Sequence, residues 1–288
     1  MSLIAYNLID NKIIKEIKHA HDSDISNIRY YFDNILKRDL IMTISGTNNN
    51  IKIWNVNNNL ELILNIENIN SAGAISSACI FNDFRQNLIM SSDSDGDPEP
   101  IKIFDFKGNK IKEIQNSKEQ TFFIDTYYDI KSDNIFILTG NNGYIKVYDY
   151  NNNKVKNKYC DNSNCYHNSI IIDDNDIILK IIESCEDGKI RIWNFNSGEL
   201  MNKINVSSKS LYGICLWNKE YLFVGCSDNI IKLVDLNKNI IINNLKGHDN
   251  KVVTLKKINH PKYGECLLSQ GYENDKIKLW ANKNKSKP

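Results

Sequence analysis

An acidic stretch at residues 93–100, Asp-Ser-Asp-Gly-Asp-Pro-Glu-Pro, alternates carboxylates in the manner of a calcium-binding loop. An EF-hand loop that began at Asp93 would need glycine at its sixth position and glutamate at its twelfth. Those positions hold Pro98 and Phe104, so the motif fails. We expect a solvated loop insertion here, with an acidic contact surface for a protein partner as the sharper alternative and weak cation binding as a third.

Cys160, Cys165 and His167 lie close in sequence and are of zinc-ligating types. Their spacing is loose and no fourth ligand is obvious, whereas structural zinc sites use four ligands in tight pairs. None of the seven cysteines forms a Cys-x-x-Cys pair, which indicates free thiols in a reducing compartment. Glycine-rich phosphate loops, nucleophile elbows and metalloprotease helices are also missing from the sequence. The sequence therefore predicts no metal, no cofactor and no catalytic residues.

The charges nearly cancel, with 36 basic and 35 acidic residues and a formal net charge of +1. No global field therefore attracts nucleic acid or an anionic membrane. The N-terminus lacks the pattern of a signal peptide, and no apolar run approaches the roughly 18 residues that a membrane span needs. We expect a cytoplasmic protein that binds neither nucleic acid nor membrane.

An alternating segment, first seen as Ile-Lys-Ile-Trp at residues 51–54, recurs along the chain. Similar segments end at Phe104, Tyr148, Trp193, Val234 and Trp280, so successive copies lie 41 to 50 residues apart. A repeat of this length with a β-type alternation is typical of repeat architectures in which stacked units share a core. This pattern indicates a binding scaffold rather than a catalyst.

Each repeat contains four strand-like runs separated by turn residues. In one repeat the runs are residues 169–172, 177–184, 190–194 and 200–204, and Asp187-Gly188 supplies one of the turns. Helical periodicity is missing from the whole chain. Four short strands per repeat predict one blade of a β-propeller.

The repeats resemble those of WD40-repeat proteins. Gly247-His248 followed by Trp280 matches the Gly-His and Trp-Asp ends of that motif, and His167 to Trp193 and His21 to Trp54 match it without the glycine. Degraded Trp-Asp pairs stand at Phe104-Asp105, Tyr148-Asp149 and Val234-Asp235. The resemblance implies an all-β WD40-type propeller of six full four-stranded repeats.

The resemblance also implies a structural network in which an aspartate binds the Gly-His histidine, and a serine or threonine links that histidine to the tryptophan. The best candidates are two sets, His167, Ser184, Asp187 and Trp193, and His248, Ser269, Asp275 and Trp280. Buried imidazole, indole and carboxylate groups need such partners. Asn48 and Asn142 stand where two other repeats would place the aspartate, so weaker or absent networks are expected there.

Residues 1–282 are predicted to form a single propeller domain, followed by a basic disordered tail at residues 283–288. Residues 4–7 and 13–17 resemble the last two strands of a further repeat. The second of these strands could complete the last blade and close a six-bladed ring, which we favour. The alternative is a seven-bladed ring with an incomplete blade, and such an open ring could accept strands from a partner.

The resemblance implies a non-catalytic scaffold that binds proteins or peptides through loops held by rigid blades. The expected binding residues lie in the loops before the first strand and between the second and third strands of each repeat: Asp22, Asp24, Asp93, Asp95, Asp97, Asn141, Asn142, Asp228 and Asn229. Their acidic character predicts basic or polar partner segments. One alternative is a regulatory WD40 portion of a larger polypeptide such as a kinase, and another is a hydrolase or lyase with a site in the central channel.

Overall fold

The computed structural model describes residues 1–10, 12–70, 74–93, 97–115, 117–161, 166–173, 178–273 and 276–281, without the side chains of 166 and 167. The chain divides into two compact units. Unit 1 holds Met1–Asn141 and Lys146–Asn157, and unit 2 holds Asn142–Ile145 and Lys158–Pro288. Every regular element among the described residues is a β-strand, and these residues include no helix suited to crossing a membrane. The predicted tail lies outside the described residues.

Unit 1 begins with a two-stranded antiparallel sheet, β1 (Leu3–Asn7) and β2 (Lys12–Ile17). The next sheet contains β3 (Asn27–Asp33), β4 (Arg38–Ser45), β5 (Asn50–Asn55) and β6 (Glu61–Ile66). It is followed by the sheet of β7 (Ile75–Asn82), β8 (Asn87–Asp93), β9 (Lys102–Asp105) and β10 (Lys110–Glu113). A third four-stranded sheet, mostly in unit 1, contains β11 (Thr121–Asp129), β12 (Asn134–Asn141), β13 (Tyr144–Asp149) and β14 (Lys154–Tyr159).

Unit 2 contains two further four-stranded sheets and one with three strands. The first is formed by β15 (Tyr166–Asp173), β16 (Leu179–Cys185), β17 (Lys189–Asn194) and β18 (Leu200–Asn205). The second is formed by β19 (Leu211–Leu216), β20 (Tyr221–Cys226), β21 (Ile230–Asp235) and β22 (Ile240–Lys246). The three-stranded sheet contains β23 (Val252–His260), β24 (Gly264–Gly271) and β25 (Ile277–Ala281). In every sheet, strands that are consecutive in sequence are paired.

The core lies between successive sheets within each unit, because both faces of the inner strands are apolar. In unit 1, one buried cluster contains Ile53 of β5 and Ile80 of β7, and another contains Ile103 of β9 and Ile124 of β11. In unit 2, one cluster contains Ile192 of β17 and Ile214 of β19, and another contains Ile231 of β21 and Leu255 of β23. The recurring Ile-Lys-Ile segments are therefore the third strands of the sheets, as predicted, and their isoleucines fill these layers.

The predicted N-terminal half-repeat forms the two-stranded sheet of β1 and β2. Its inner side packs on the next sheet, where Leu3 is buried in a cluster with Ala20, Trp54 and Leu60. The N-terminal amino group also donates to the His21 carbonyl over 2.8 Å. The half-repeat therefore covers the apolar face of the first full repeat in the way that a neighbouring blade would. Six-bladed and seven-bladed arrangements both contain the β1–β2 pair, and the choice between them stays a prediction.

The turn between β16 and β17 requires glycine. Gly188 has φ +79°, and a Cβ there would lie 2.0 Å from the Ser207 carbonyl oxygen and 2.9 Å from that of Lys209. Gly264 has a similar φ of +69°, but a Cβ there would meet no atom within 4 Å. Substituting either glycine therefore strains the backbone, and only the change at Gly188 also produces a collision.

We expect Gly188→Ala to lower the free energy of unfolding by about 1–3 kcal/mol more than Gly264→Ala, because overpacking adds to the shared backbone strain. Urea unfolding followed by tryptophan fluorescence measures both variants. Equal destabilisation of the two would contradict the close approach at Gly188.

Candidate functional site

A cation in the third strand of each of the six larger sheets reaches the loop that precedes the first strand of the same sheet. Lys52 Nζ donates to the Ala20 carbonyl over 2.7 Å, and Lys232 Nζ donates to the Val206 carbonyl over 3.0 Å. The corresponding contacts in the other sheets join Lys102 to the Ile69 carbonyl, Lys146 to the Glu119 carboxylate, Arg191 to the Asp161 carboxylate and Lys278 to the Gly247 carbonyl. We call these six residues the third-strand cations.

The third-strand cations fix one of the two sets of loops that the sequence assigned to partner binding, those before the first strand of each sheet. Lys102, Lys146 and Arg191 are themselves buried, so their contacts with loop oxygens replace lost hydration. The sequence contains a signal for them, since the second residue of each recurring segment is Lys or Arg. The sequence reasoning missed their role because an alternating strand usually places such a residue in solvent.

A four-residue network joins the first full repeat to its loops. His21 Nδ1 lies 2.6 Å from Asn50 Oδ1, and His21 Nε2 lies 2.8 Å from Thr43 Oγ1. Thr43 Oγ1 also accepts the Trp54 indole N–H over 2.8 Å. Burial lowers the pKa of His21, so the imidazole is held neutral in this network. The expectation of a weak or absent network in this repeat is wrong, because Asn50 of β5, rather than Asn48, supplies the amide oxygen.

The last sheet contains a matching arrangement. Ser269 Oγ lies 2.6 Å from His248 Nε2 and accepts the Trp280 indole N–H over 2.7 Å. The structure thus brings together three of the four residues predicted for this repeat. Asp275, the fourth, lies outside the described residues.

The structure around Trp193 differs from the network that the sequence predicted. Ser184 pairs with Ile190 in the strand register, and its hydroxyl donates to the Tyr212 carbonyl over 2.5 Å. The residue opposite the third-strand cation is Glu183, one position earlier. Trp193 Nε1 is buried and has no hydrogen-bond partner among the described residues. The proposed link through Ser184 is therefore corrected, because strand pairing determines which side chain faces the tryptophan.

A buried ionic cluster around Arg191 replaces the hydrogen-bond network that was predicted near Trp193. Arg191 is fully buried, and it donates to Asp187 Oδ2 over 2.5 Å and to Asp161 Oδ2 over 2.6 Å. Asp187 was expected to bind His167, but its carboxylate is used by Arg191. The His167 side chain lies outside the described residues, and Asp161 supplies the loop oxygen for Arg191, as the Ala20 and Gly247 carbonyls do for Lys52 and Lys278.

Glu183 is the least satisfied member of this cluster. Its Oε1 lies 3.3 Å from Arg191 Nη1, while its Oε2 is buried without a partner among the described residues. Burial raises the pKa of Glu183 well above its ordinary value. The pKa of Asp187 is lowered, since Arg191 donates two hydrogen bonds to its carboxylate against the opposing effect of burial. Arg191 therefore stabilises the charge of Asp187 more than that of Glu183.

The third sheet has a network without histidine. Asn141 is buried, its Oδ1 accepts from Thr139 Oγ1 over 2.8 Å, and its Nδ2 donates to the Gln120 carbonyl over 3.2 Å. Asn141 was expected to contact partners, and this is corrected: its amide is used inside the sheet. Asn142, one residue later, is exposed.

The remaining predicted binding residues differ in their exposure. Asp22 and Asp24 are exposed, and Asp97 is 89% exposed and ion-paired with Lys118 over 3.0 Å. Asp228 and Asn229 are partly exposed in the loop between β20 and β21. Asp93 is only 2% exposed and its carboxylate accepts the Glu99 N–H, so its assignment to a partner surface is also corrected. Asp95 lies outside the described residues.

Several buried cysteine thiols have raised pKa values. Burial raises the pKa of the Cys79, Cys185 and Cys226 thiols to about 12, so they stay protonated and are poor nucleophiles. Within the described ranges, no three His, Cys, Asp or Glu side chains are grouped to hold a metal ion. Two of the three zinc-type residues, Cys165 and His167, have side chains outside the described part of the chain, so this finding does not cover them.

Comparison with solved structures decides the fold. The crystal structure of the WD40 β-propeller domain of Doa1 matches 93% of this chain and 81% of that chain, with a TM-score of 0.71 and 14% sequence identity. This chain has the fold of a WD40-type β-propeller. The fold class expected from the repeats is confirmed, and the third-strand cations lie at matching positions in the propeller's six larger sheets.

Part of the propeller is similar in sequence to the U3 small nucleolar RNA-associated protein 21 homolog of Schizosaccharomyces pombe. The two are 28% identical over 74 residues, which is 26% of this chain and 8% of the relative. The match thus spans less than a tenth of the relative's length. No protein-family model matches the propeller.

Thr43→Val should destabilise the propeller by roughly 1–3 kcal/mol for each of the two groups, His21 Nε2 and Trp54 Nε1, that lose their buried partner. Urea unfolding gives the difference. Thr47→Val, in an exposed loop, is the matched control and should change stability by less than about 0.5 kcal/mol. Equal effects of the two variants would contradict the network.

Glu183→Gln should become more stable relative to the native chain as the pH rises. A carboxyl whose folded-state pKa is raised contributes stability that is fully present below its unfolded pKa and is lost as the pH rises through its folded pKa. The amide does not titrate, so the native chain alone undergoes this loss. Urea midpoints between pH 5 and 8 test this, with the exposed Glu220→Gln as control. Parallel profiles for native and Glu183→Gln chains would contradict the raised pKa.

Proposed function

We propose that this propeller is a non-catalytic scaffold that binds segments of partner proteins at the loops held by its third-strand cations. The observation that carries the proposal is the set of six loop contacts, each of which anchors a loop to the central part of its own sheet. Anchored loops lose little conformational entropy on binding, which favours recognition by exposed side chains.

The exposed carboxylates give these loops a chemical preference. Asp22 and Asp24 precede β3, in the loop that Lys52 anchors, whereas Asp97 lies between β8 and β9, in the loop whose Glu99 accepts a hydrogen bond from Lys102. Lys118 offsets part of the charge of Asp97, whereas no ion pair of Asp22 or Asp24 is found within the described residues. A basic or polar partner segment fits these loops best.

The buried chemistry supports a scaffold over an enzyme. Glu183 has the kind of raised pKa that a general acid needs, but it is fully buried among Arg191 and strand residues, where a substrate has no access. The thiols with raised pKa are buried as well. Glu183 and these thiols therefore support the sheets.

The named relative favours a second candidate, membership of an RNA-associated assembly. Its name associates that protein with U3 small nucleolar RNA, and 74 residues of this chain align with it at 28% identity. The net charge of +1 and the acidic loops make contact through protein partners more favourable than direct binding of RNA. A nucleolar signal from a fluorescent fusion would favour this candidate over the cytoplasmic location expected from the sequence.

Reversing the charge of the exposed loop aspartates should prevent partner proteins from binding to the propeller. In affinity capture from native cells with quantitative mass spectrometry, Asp22→Lys, Asp24→Lys and Asp97→Lys combined should lose at least about 80% of the partners recovered by the native chain, since each reversal replaces attraction with repulsion. Combined reversal of Glu113, Glu199 and Glu220, exposed acids outside these loops, should retain them.

Two outcomes would contradict the proposal in different ways. If both variants recovered the same partners, the acidic loops would not be the binding site. If the native chain recovered no specific partner, the scaffold function itself would be wrong. Treatment of the captured material with ribonuclease separates protein-mediated from RNA-mediated association.

A further inference from the structure

A polar cleft of about 460 Å³ lies in unit 1, between three loops at the same edge of the first two full sheets. Its lining residues are 22, 47–50, 67, 68 and 70. Five of these eight are asparagines, two are the carboxylates Asp22 and Glu67, and none is a lysine or arginine. The cleft therefore presents amide groups and negative charge.

Backbone contacts hold the walls of the cleft in place. The Ile69 N–H donates to the Asn49 carbonyl over 3.1 Å, which joins the loop after β4 to the loop after β6. Lys102, the third-strand cation of the second sheet, donates to the Ile69 carbonyl over 2.6 Å. The cleft is thus formed before any ligand arrives.

Two buried polar atoms of the lining residues have no hydrogen-bond partner among the described residues. Asn70 is only 6% exposed, and its Nδ2 donates to nothing, while its Oδ1 lies 3.4 Å from Lys102 Nζ. That contact with a cation fixes which end of the Asn70 amide is the donor. Asn49 Oδ1 is the second such atom, and it is an acceptor. A buried donor and a buried acceptor without partners each cost free energy until a ligand satisfies them.

The unsatisfied atoms define what the cleft would bind. A donor and an acceptor without partners in the lining of one cleft match a ligand that has both a C=O and an N–H, and the peptide unit is such a group. Asp22 and Glu67 are exposed, and their carboxylates favour a guanidinium or ammonium group. The nearby Lys102 does not cancel them, since its ammonium group is ion-paired with Glu99 and bound to the Ile69 carbonyl.

We propose that this cleft binds a short segment of a partner protein that carries an arginine or lysine. The Asn70 Nδ2 donates to a backbone carbonyl of the segment, the Asn49 Oδ1 accepts a backbone N–H, and Asp22 and Glu67 bind the cation. The proposal rests on the scaffold function above and gives it a specific site and ligand chemistry.

The test uses N-acetyl-arginine N-methylamide, which contains one guanidinium and two amide units, with the alanine and glutamate analogues as controls. The probe is titrated into the ¹⁵N-labelled full chain while the side-chain amide signals of Asn49 and Asn70 are followed by NMR, each assigned from its alanine variant. We expect saturable shifts of both signals, and binding of the arginine probe that is about threefold to fivefold tighter than that of the alanine probe, as for one exposed ion pair.

Charge-removing variants identify the source of this preference. Asp22→Asn combined with Glu67→Gln keeps the shape of the cleft and should abolish the preference for arginine over alanine. Glu199→Gln combined with Glu220→Gln removes the same charge elsewhere and should preserve it. Equal binding of all three probes by the native chain, or an unchanged preference in the cleft variant, would overturn the proposal.

The result is separable from that of the scaffold test. Loss of partners on reversal of the loop charges, together with no response of Asn49 and Asn70 to the arginine probe, would refute the cleft and leave the scaffold function standing. A response to the probe in a chain that captures no protein would support the chemistry of the cleft and refute the scaffold function.

Discussion

The contact between a third-strand cation and the loop before the first strand of its sheet is the interaction on which the rest of this structure depends. It joins the third strand of each sheet to the loop before the first strand, which comes about 30 residues earlier in the sequence of the same repeat. The cation is partly or fully buried, so the loop must offer an oxygen to it, as Ala20, Ile69 and Asp161 do. Loss of that oxygen would leave a buried charge without a partner, which is among the most costly defects in a folded protein. The requirement holds the loops in place for binding.

The residue opposite the cation then decides what kind of network a repeat contains. Where it is Thr43 or Ser269, a neutral hydroxyl links a histidine to a tryptophan. Where it is Glu183, the carboxyl draws Arg191 into a cluster with Asp161 and Asp187. One backbone arrangement therefore holds both a hydroxyl-centred network and an ionic one. The ionic network lowers the free energy of unfolding, because one carboxylate oxygen of Glu183 is buried without a partner among the described residues and burial raises the pKa of this carboxyl.

The acids and amides of the loops are divided between structure and recognition. Asp93, Asn141 and Asp187 satisfy buried donors or other polar atoms of their own sheets, and so are not available to a ligand. Asp22, Asp24 and Asp97 remain exposed, and Asn49 and Asn70 each keep a buried atom unsatisfied. The residues of such a scaffold that can bind a partner are those whose polar groups are not already used in hydrogen bonds within the fold. Residue type alone does not distinguish the two sets.

The sequence by itself determined the repeat, the all-β fold and the position of each third strand, because hydrophobic alternation and turn residues are local signals. The resemblance to WD40 repeats implied the His248–Ser269–Trp280 set. The sequence also contained the third-strand cations, whose role could have been read from their recurrence. Only the tertiary structure decided that Asn50 rather than Asn48 binds His21, that Glu183 rather than Ser184 faces Arg191, and that Asp93 and Asn141 are buried. For Glu183 and Ser184 the reason is register: a shift of one residue moves a side chain to the opposite face of a strand, and only the pairing between strands fixes that register. For Asn48 and Asn50 the reason is the strand boundary, because the pairing of β4 with β5 begins at Asn50.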